Sequence, residues 1–398
     1  MRLVMGGESL QGPLTGIGQY TYHMAKEMLA RPEIEDFNFL AHGRLREPES
    51  LMGGCGNGAS DETSDSGKPS KINQFLGRAR SITAQSKLAV ALYERLMLRL
   101  ERHSLRHYCP RDVYHSPNYM LPHFPGRRVV SILDLSTYRF PEQHPEARVR
   151  FVNSHIKKTL RHADHIITIS NIVKEEIIER FNYPEDQITV TYLGADDAFR
   201  PHSKEEFQSL GQSLKIDYKG YFLFVSSIEP RKNLERLLDA YLAYRTDCSD
   251  QPLPLIVAGT PGWKSQHIHN RLKEIQAKGD VRYLGYVDQD MLPALVAGAR
   301  ALLYPSLYEG FGLPVLEAMK SGTAVMTSKS TAMAEVGGKA VMQIDPYRVD
   351  AMTEAMAKFE QDAAAVNAME QSGLEAAQKY SWQRCAELTF AVYQPKIG

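Results

Sequence analysis

The segment that decides the fold runs from Ala301 to Thr327 and reads ALLYPSLYEGFGLPVLEAMKSGTAVMT. Its apolar runs and its proline and glycine positions predict four consecutive elements. These are a buried strand, a loop, a helix and a second strand, at residues 301–304, 305–312, 314–320 and 323–327. Gly322 follows the helix, where a glycine commonly ends one. Such a strand–loop–helix–strand unit is typical of a parallel sheet covered by helices.

Two carboxylates mark this segment, Glu309 in the loop and Glu317 in the helix. Pro314 suits the first helical position, so we expect Glu317 in the opening turn. Gly310 and Gly312 allow the backbone to turn and to approach a ligand closely. The free N–H groups ahead of Pro314 would bind an anion, and the helix dipole strengthens that binding. Carboxylates that accept hydroxyl groups, beside amides that hold an anion, predict a sugar-nucleotide site.

Length and composition restrict the class of protein. At 398 residues the chain exceeds the usual size of one core, so two domains are expected. Lysine plus arginine equals aspartate plus glutamate at 47 each, so net charge does not indicate a nucleic-acid partner. The four cysteines form no CxxC pair, which fits a reducing cytosol. Without a signal-peptide core or a long apolar run, the sequence predicts a cytoplasmic protein.

The first part of the chain predicts a strand at residues 2–5, a glycine-rich loop at 6–18 and a helix at 19–30. The G-x-G of this loop is weak evidence for nicotinamide-dinucleotide binding, because Thr21 stands where a third glycine is needed. Residues 52–70 are rich in glycine, serine and acidic side chains, which is typical of a mobile insertion.

A basic segment follows at residues 71–111, with nine lysines and arginines against two acidic residues. Within it, residues 87–108 predict a helix that has one broad apolar face. Two interpretations of that face stay open. It packs in the core, or it belongs to a basic amphipathic surface that makes peripheral contact with the inner membrane.

Strands and helices alternate over the rest of the chain, and GADDAFRP marks a boundary near residue 200. The predicted strands are residues 37–41, 112–115, 128–133, 165–169, 188–192, 221–225, 255–258, 282–286, 301–304, 324–327 and 341–344. This pattern predicts two doubly wound α/β domains, residues 1–200 and 201–380. We expect residues 381–398 to form a helix that packs back across both domains. A ligand is expected at the carboxyl ends of the strands, in the cleft between the domains.

Two cations, Arg231 and Lys232, follow the strand at residues 221–225. Asn233 comes next and is a suitable N-cap for the following helix. At the carboxyl edge of a sheet these cations would bind a diphosphate, the arginine as a fork and the lysine as a point charge. Such cations also stabilise the negative charge that develops on a departing nucleoside diphosphate.

A metal site is the competing interpretation. Asp288 and Asp290 form a D-x-D pair, a pattern by which some transferases hold a divalent ion. Because the pair precedes a helical run, we favour helix capping by these side chains. The sequence therefore predicts metal-independent chemistry, with a nucleotide sugar as substrate and no cofactor.

These motifs together resemble the family 4 retaining glycosyltransferases of the GT-B fold, a group that includes many mannosyl-, rhamnosyl- and glucosyltransferases of bacterial surface polysaccharides. The resemblance covers nearly the whole chain, and its most specific parts are YEGFGLPVLEAM and RKN, at residues 308–319 and 231–233. The other matching segments are TGIGQYTYHMA (15–25), VYHSPNYMLP (113–122), VVSILDLSTYRFPE (129–142), ITISNIVKEEI (167–177), SIEPRKNLERLL (227–238) and STAMAEVGG (330–338). It implies two facing Rossmann-like domains with the active site in the cleft between them.

The resemblance also implies roles for individual residues. Arg231 and Lys232 would bind the donor diphosphate, and Glu317 the nucleotide ribose. Glu309 would contact the donor sugar near the reacting carbon and would be catalytic together with Asp134. The full set of donor-binding residues that it implies is Gly16, Gly18, Arg231, Lys232, Phe311, Gly312, Leu313 and Glu317. The first two glycines would let their loop approach the phosphates, and the amides of residues 311–313 would hold sugar and phosphate.

One position departs from the family pattern. Similar proteins usually carry His-Asp where this chain has Leu133 and Asp134. Asp134 is then the polar group left to face the acceptor or the donor sugar. Either activity persists through Asp134 and Glu309, or the protein is an impaired partner that only binds a sugar nucleotide. His115 also ends a predicted strand, where a structural role is the better interpretation.

The predicted reaction moves a hexose from a nucleotide sugar to a glycan hydroxyl with retention of configuration. On resemblance alone we prefer GDP-mannose, or a GDP-deoxyhexose such as GDP-rhamnose, to a UDP-sugar. The expected acceptor is a lipid-linked O-antigen or capsule intermediate, reached from the cytoplasmic face of the inner membrane. A sugar-nucleotide epimerase is the competing enzyme class, but the paired glutamates and the RKN segment favour a transferase.

Overall fold

A computed structural model describes residues 1–12, 14, 16–53, 96–97, 99–247, 252–277, 279 and 281–394. The chain divides into two compact units, Met1–Val130 with His162–Asp164 and Ser131–Arg161 with His165–Gly398. The predicted insertion at residues 52–70 lies outside the described residues from position 54 onward, as does the basic segment from residue 71 to residue 95. The predicted division near residue 200 stays a prediction.

The first unit is built on strands that run in the order β3-β2-β1-β4-β5. They pair in parallel, except that β3 is antiparallel to β2. Their bounds are β1 Arg2–Gly6, β2 Asp36–Ala41, β3 Arg44–Arg46, β4 Val113–Ser116 and β5 Arg127–Ser131. The helices are α1 Gly16–Leu29 and α2 Pro48–Met52. Residues 99–105 are also helical. The apolar residues of β1 are completely buried, which explains why a short run of them forms the central strand.

The start of α1 corrects the sequence prediction. Gly16 and Gly18 lie in the first turn of this helix and not in a loop before it. Further along, Leu96 is 53% exposed, which does not fit the core interpretation of the predicted apolar face at that position. Leu105 at the end of the same helical stretch is buried.

The second unit contains a six-stranded parallel sheet in the order β10-β9-β8-β11-β12-β13. A parallel pair, β6 and β7, belongs to the same unit. The strand bounds are β6 His165–Thr168, β7 Ile188–Val190, β8 Phe222–Val225, β9 Leu255–Ala258, β10 Val281–Gly285, β11 Ala301–Tyr304, β12 Ala324–Ser328 and β13 Met342–Ile344. Strands predicted beyond residue 200 thus form within one residue of their expected bounds, and the predicted fold class is confirmed.

Helices alternate with these strands, as the crossover connections of a parallel sheet require. Their bounds are α3 Ser136–Arg139, α4 Glu146–Leu160, α5 Asn171–Phe181, α6 Lys204–Leu214, α7 Leu234–Asp247, α8 Gln266–Gln276, α9 Leu292–Ala297, α10 Leu313–Lys320, α11 Ala332–Gly337, α12 Val349–Gln361, α13 Ala363–Ala377 and α14 Trp382–Tyr393. In the described part of the chain no helix is both long and apolar enough to cross a bilayer.

The last helix, α14, packs against residues 191–194 of its own unit. Ser381 caps it through a bond from the amide of Arg384, and the Cys385 thiol donates to the carbonyl of Thr191 over 3.7 Å. A β-carbon on Gly194 would lie 2.2 Å from the backbone nitrogen of Trp382. Only glycine at that position allows the end of the chain to approach so closely.

Candidate active site

The loop after β11 holds a carboxylate at the centre of a buried polar cluster. Glu309 accepts hydrogen bonds of 2.9 Å from the hydroxyls of Tyr304 and Ser306. Its Oε1 lies 2.5 Å from Lys232 Nζ, and its Oε2 lies 3.0 Å from an amino group of Arg231. The cluster therefore joins the predicted catalytic glutamate directly to both predicted phosphate-binding cations.

The two cations sit on a short 3-10 turn, Pro230–Lys232, which follows β8. Strand β8 is the sheet neighbour of β11, so the carboxyl ends of the two strands bring their loops together. The amide of Leu307 donates to the carbonyl of Arg231 over 2.9 Å. The Arg231 guanidinium also donates to the carbonyl of Tyr308 and, over 2.6 Å, to Glu229. These bonds hold the cations in fixed positions.

Asn233 reinforces the same arrangement. It immediately precedes α7, but its side-chain amide donates to the carbonyls of Pro305 and Pro346, over 3.1 and 2.7 Å. Its side-chain oxygen Oδ1 accepts from the Arg236 guanidinium over 2.8 Å. The residue thus ties the loop after β11 to the turn that carries the cations.

The charges in this cluster change the ionisation of its members. Burial alone would raise the pKa of Glu309, but the charges of Arg231 and Lys232 outweigh burial and hold that pKa at about 2. Burial raises the pKa of Glu229, and the two cations offset this only in part. Glu309 is consequently a permanent carboxylate at neutral pH, able to accept hydrogen bonds but not to act as a general acid.

Some hydrogen-bonding capacity in the cluster is unused. Arg231 Nε and Glu229 Oε2 are buried and have no partner among the described residues. An unpaired buried N–H beside a second cation costs free energy unless a ligand or water pairs with it. The cluster can therefore still donate to an anion that reaches Arg231.

The start of α10 offers further donors. Gly312 has φ of +98°, and a β-carbon there would lie 2.6 Å from the side chain of Met333, so the turn requires glycine. None of the described residues accepts a hydrogen bond from the amides of residues 311–313. The Phe311 ring packs beside the rings of Tyr192 and Tyr380, with centroids 6.4 and 6.0 Å away. Backbone donors are thus fixed at a helix N-terminus, which favours anions.

Glu317 lies one residue further along the helix than expected. The helix begins at Leu313, one residue before Pro314, so Glu317 is its fifth residue and not part of the opening turn. Its side chain is half-buried. Burial, together with the nearby Asp196 carboxylate, raises the pKa of Glu317 to about 7.

Asp134 lies beside the same loop. A β-carbon on Gly310 would lie 1.8 Å from the carbonyl oxygen of Leu133 and 3.1 Å from the Asp134 Cβ, so Gly310 is needed for this approach. The Tyr308 hydroxyl accepts from the amide of Leu135 over 3.0 Å and donates to Glu176 over 2.6 Å. Tyr308 therefore connects the loop of Glu309 to the loop of Asp134.

The remaining candidates belong to the other compact unit. Gly16 and Gly18 belong to the first unit. A β-carbon on Gly18 would lie 2.9 Å from the carbonyl of Ser9, whereas one on Gly16 would meet no atom of the described residues within 4 Å. His115 is also in the first unit and completely buried, with its ring edge toward Tyr20. Burial lowers the pKa of His115 to about 3.

The preferred interpretation of the D-x-D pair was wrong. Helix α9 begins at Leu292 with Met291 in the capping position, and no side chain in the described part of the chain caps it. Asp288 and Asp290 are exposed. Within the described ranges, no group of three or more His, Cys, Asp and Glu side chains could hold a metal ion.

Sequence reasoning missed Tyr304, Ser306, Tyr308 and Glu229, which complete the hydrogen bonding of the cluster. Tyr304 and Ser306 flank Pro305 at the end of an apolar strand. The only sequence signal for them is that ligands bind at the carboxyl ends of parallel strands. Glu229, two residues before Arg231, carried the clearer signal, because an acid close to a cation at a strand end is a candidate ion pair.

Comparisons with known proteins agree with this architecture. Residues 14–199 match the family model described as Glycosyltransferase Family 4, and residues 206–376 match the model described as Glycosyl transferases group 1. The chain is 34% identical over 395 residues to O-antigen chain mannosyltransferase B of Escherichia coli, covering 99% of this chain and 100% of that protein. It is 31% identical over 230 residues to the serotype-specific mannosyltransferase WbdA of Escherichia coli, covering 57% of this chain and 28% of that protein.

A solved structure shows the same fold. The crystal structure of WaaG, a glycosyltransferase involved in lipopolysaccharide biosynthesis, matches with a TM-score of 0.67 at 14% identity, over 100% of both chains. The sequence prediction of family and fold is confirmed by the full-length relative and by both family models. The chain belongs to glycosyltransferase family 4, has the GT-B fold, and is related to mannosyltransferases that build bacterial O-antigen chains.

Proposed function

We propose that this glycosyltransferase moves mannose, with retention of configuration and without a metal ion, from GDP-mannose to a hydroxyl of a lipid-linked O-antigen or related surface-glycan intermediate. The relatives named mannosyltransferases support the choice of sugar. A GDP-deoxyhexose is the closest alternative donor, and a UDP-sugar the next. The protein would work at the cytoplasmic face of the inner membrane, where the basic segment at residues 71–111 would contact anionic lipid.

The observation that carries this proposal is the buried pair of cations at the end of β8. Arg231 and Lys232 are only 7% and 8% exposed, and the arginine keeps an unused Nε donor. A diphosphate would take up this capacity, together with the unpaired amides at the start of α10. The cations would then stabilise the negative charge that grows on the departing diphosphate, in a site from which water is largely excluded.

The proposed reaction is a substitution on one face of the sugar. The acceptor oxygen forms a bond to the anomeric carbon on the side that the diphosphate leaves, the bond between that carbon and the phosphate oxygen breaks, and the departing oxygen takes the acceptor proton. Because Glu309 is ionised at neutral pH, its part is to accept sugar hydroxyl hydrogens and to stabilise positive charge at the anomeric carbon. Asp134 would orient the sugar or the acceptor from the adjacent loop.

Ligand-dependent melting of the purified chain tests the donor. GDP, UDP, ADP and NAD are each added at several concentrations, with and without EDTA. A ligand at 100 times its Kd adds about 2.7 kcal/mol, or roughly 5 to 10 °C in Tm. We expect a shift with GDP that EDTA does not change. A shift with UDP alone would replace the donor, a shift that EDTA abolishes would contradict metal independence, and a response to no nucleotide would contradict the proposal.

Turnover of GDP-mannose provides the second part of the test. We expect Arg231→Ala to lower kcat/KM roughly 10²- to 10³-fold, or about 3 to 4 kcal/mol, as for loss of one preorganised donor. The matched control is Arg384→Ala, which removes an arginine that is paired with Glu387 on the surface of α14. Equal rates in Arg231→Ala and the control would overturn the assignment of the diphosphate site.

A further inference from the structure

A second segment of the chain, which begins at Asp134 and continues beyond it, lies against the site. This strap, residues 134–144, touches the Glu309 loop at its start, where the amide of Leu135 donates to the Tyr308 hydroxyl over 3.0 Å, and again at Phe140, whose ring lies 6.0 Å from that of Tyr308. At its other end, the carbonyl of Gln143 accepts from the indole of Trp263 over 3.0 Å. The carbonyl of Glu142 accepts from Lys264 over 2.6 Å.

The turn that carries Trp263 is itself joined to the cations. The amide of Gly262 donates to the carbonyl of Ile228 over 2.9 Å, and a β-carbon on Gly262 would lie 3.2 Å from the Glu229 side chain. Glu229 in turn binds Arg231. The strap is therefore held from both ends beside the cluster of Arg231 and Glu309.

His144 at the end of the strap is buried. It is 2% exposed, and neither ring nitrogen has a hydrogen-bond partner among the residues that the structure describes. Its ring lies 5.3 Å from that of Trp263, at an angle of 34°. Leaving a buried donor and a buried acceptor unpaired costs free energy. Packing alone therefore does not explain an imidazole at this position, whereas binding of a ligand would.

The charge state of His144 indicates the kind of group it would bind. Burial, together with the nearby positive charges of Arg231 and Arg148, lowers the pKa of His144 to about 4 although Asp134 acts in the opposite direction. A neutral imidazole has one donor and one acceptor nitrogen. That pair suits a hydroxyl group, which both donates and accepts, better than it suits a phosphate.

We infer that His144 is a further sugar-binding residue of this transferase, and that its imidazole hydrogen-bonds to a hydroxyl of the transferred hexose. This inference rests on the proposed function. Because both nitrogens are enclosed and the Trp263 ring lies against the imidazole, the inference includes a displacement of that ring when the sugar binds. Trp263 is half-buried and is held by one indole hydrogen bond and by the Arg148 guanidinium 4.9 Å from its ring.

Binding of GDP and GDP-mannose to His144→Phe separates the sugar from the nucleotide. We expect the variant to bind GDP as the wild type does and to bind GDP-mannose about tenfold more weakly, the effect of one hydrogen bond. The matched control is His155→Phe on α4, where the histidine bonds the carbonyl of Phe151. Equal loss for both ligands, or for neither, overturns the inference. Failure of the wild type to bind GDP-mannose contradicts the proposed function instead.

Stability distinguishes a sugar-binding role from a structural one. Replacing an unpaired buried imidazole with a phenyl ring of similar shape removes two unsatisfied groups, so the Tm of His144→Phe should be unchanged or raised. A lower Tm with unchanged preference for GDP-mannose over GDP would show that the histidine serves the fold alone.

Tryptophan fluorescence tests the movement without altering His144. The chain contains two tryptophans, so Trp382→Phe leaves Trp263 as the single reporter. We expect GDP-mannose to change its emission and GDP to leave it unchanged. GDP-mannose binding without any change in emission would overturn the inference even if His144→Phe did not fold.

Discussion

Lys232 Nζ lies 2.5 Å from Glu309 Oε1, and both side chains are about nine-tenths buried. The Glu309 carboxylate is paired with Lys232 and Arg231, the two cations that would bind the diphosphate of the donor. The donor diphosphate and Glu309 therefore compete for the positive charge of Arg231 and Lys232. Because of this competition, the contribution of the ion pair to stability and to donor binding can be measured in a variant that lacks the carboxylate.

Glu309→Gln removes the anionic side of the pair. Removing one partner of a buried ion pair costs about 3 to 5 kcal/mol, so the free energy of unfolding in urea should fall by that order. GDP would supply the missing negative charge, so we expect GDP to raise the Tm of the variant more than that of the wild type. Turnover should fall roughly 10²- to 10³-fold. Exposed Glu354→Gln is the control, and a smaller GDP shift in Glu309→Gln would contradict the competition.

Tyr308→Phe removes the hydroxyl group through which Tyr308 connects the Glu309 loop to the Asp134 loop. The amide of Leu135 loses its acceptor and Glu176 loses a donor, which should lower the free energy of unfolding by about 1 to 3 kcal/mol. We expect kcat to fall while the Kd for GDP stays constant, because the bond from Arg231 reaches the backbone carbonyl of residue 308. Exposed Tyr347→Phe should change neither quantity. A weaker Kd with unchanged kcat would be the contrary result.

Gly310→Ala tests the close approach to Leu133. An added β-carbon would meet the Leu133 carbonyl at 1.8 Å, so the Glu309 loop must shift. We expect a large loss of turnover and a lower Tm. The matched control is Gly373→Ala in α13, where the nearest atoms would lie at 3.5 Å, an ordinary contact. Alanine inside a helix should leave that variant as stable as the wild type or more stable. Equal behaviour of the two variants would refute the steric requirement.

Glu317→Gln tests the raised pKa of Glu317 through the pH dependence of stability. A carboxyl with a pKa of about 7 in the folded protein and an ordinary pKa of 4.5 contributes stability that is fully present below pH 4.5 and is lost as pH rises through 7. The wild type should therefore lose about 2 to 3 kcal/mol over this window relative to the variant. Urea unfolding at pH 4.5 and pH 8 measures the difference. Parallel stability profiles would contradict the raised pKa.

The fold of the second unit could be predicted from sequence because its strands are continuous apolar runs between glycine and proline signals. Ala301–Tyr304 and Leu255–Ala258 form at their predicted bounds, since a strand buried on both faces tolerates little polar sequence. The start of α1 was missed because glycine is a poor helix former, and two glycines in its first turn resemble a loop. Strand β3 was missed because three residues carry too little periodicity.

The candidate site could be predicted only residue by residue. Arg231, Lys232 and Glu309 stand out in the sequence, but their mutual neutralisation does not, because Lys232 and Glu309 are 77 positions apart. The order of the sheet, in which β8 lies beside β11, creates that contact. His144 was passed over for a related reason, since a histidine in a loop carries no signal until the structure shows that it is buried and unpaired.

The contact between α14 and residues 191–194 has a consequence for synthesis of the chain. Gly194 lies against Trp382, so 188 positions separate two segments that must meet before the second unit is complete. At about 5 to 20 residues per second, a ribosome needs roughly 10 to 40 s to make the chain between them. During that interval Thr191 and Gly194 lack the helix that covers them. The nascent chain therefore exposes this surface to chaperones and proteases for tens of seconds, long after β6 and β7 have been synthesised.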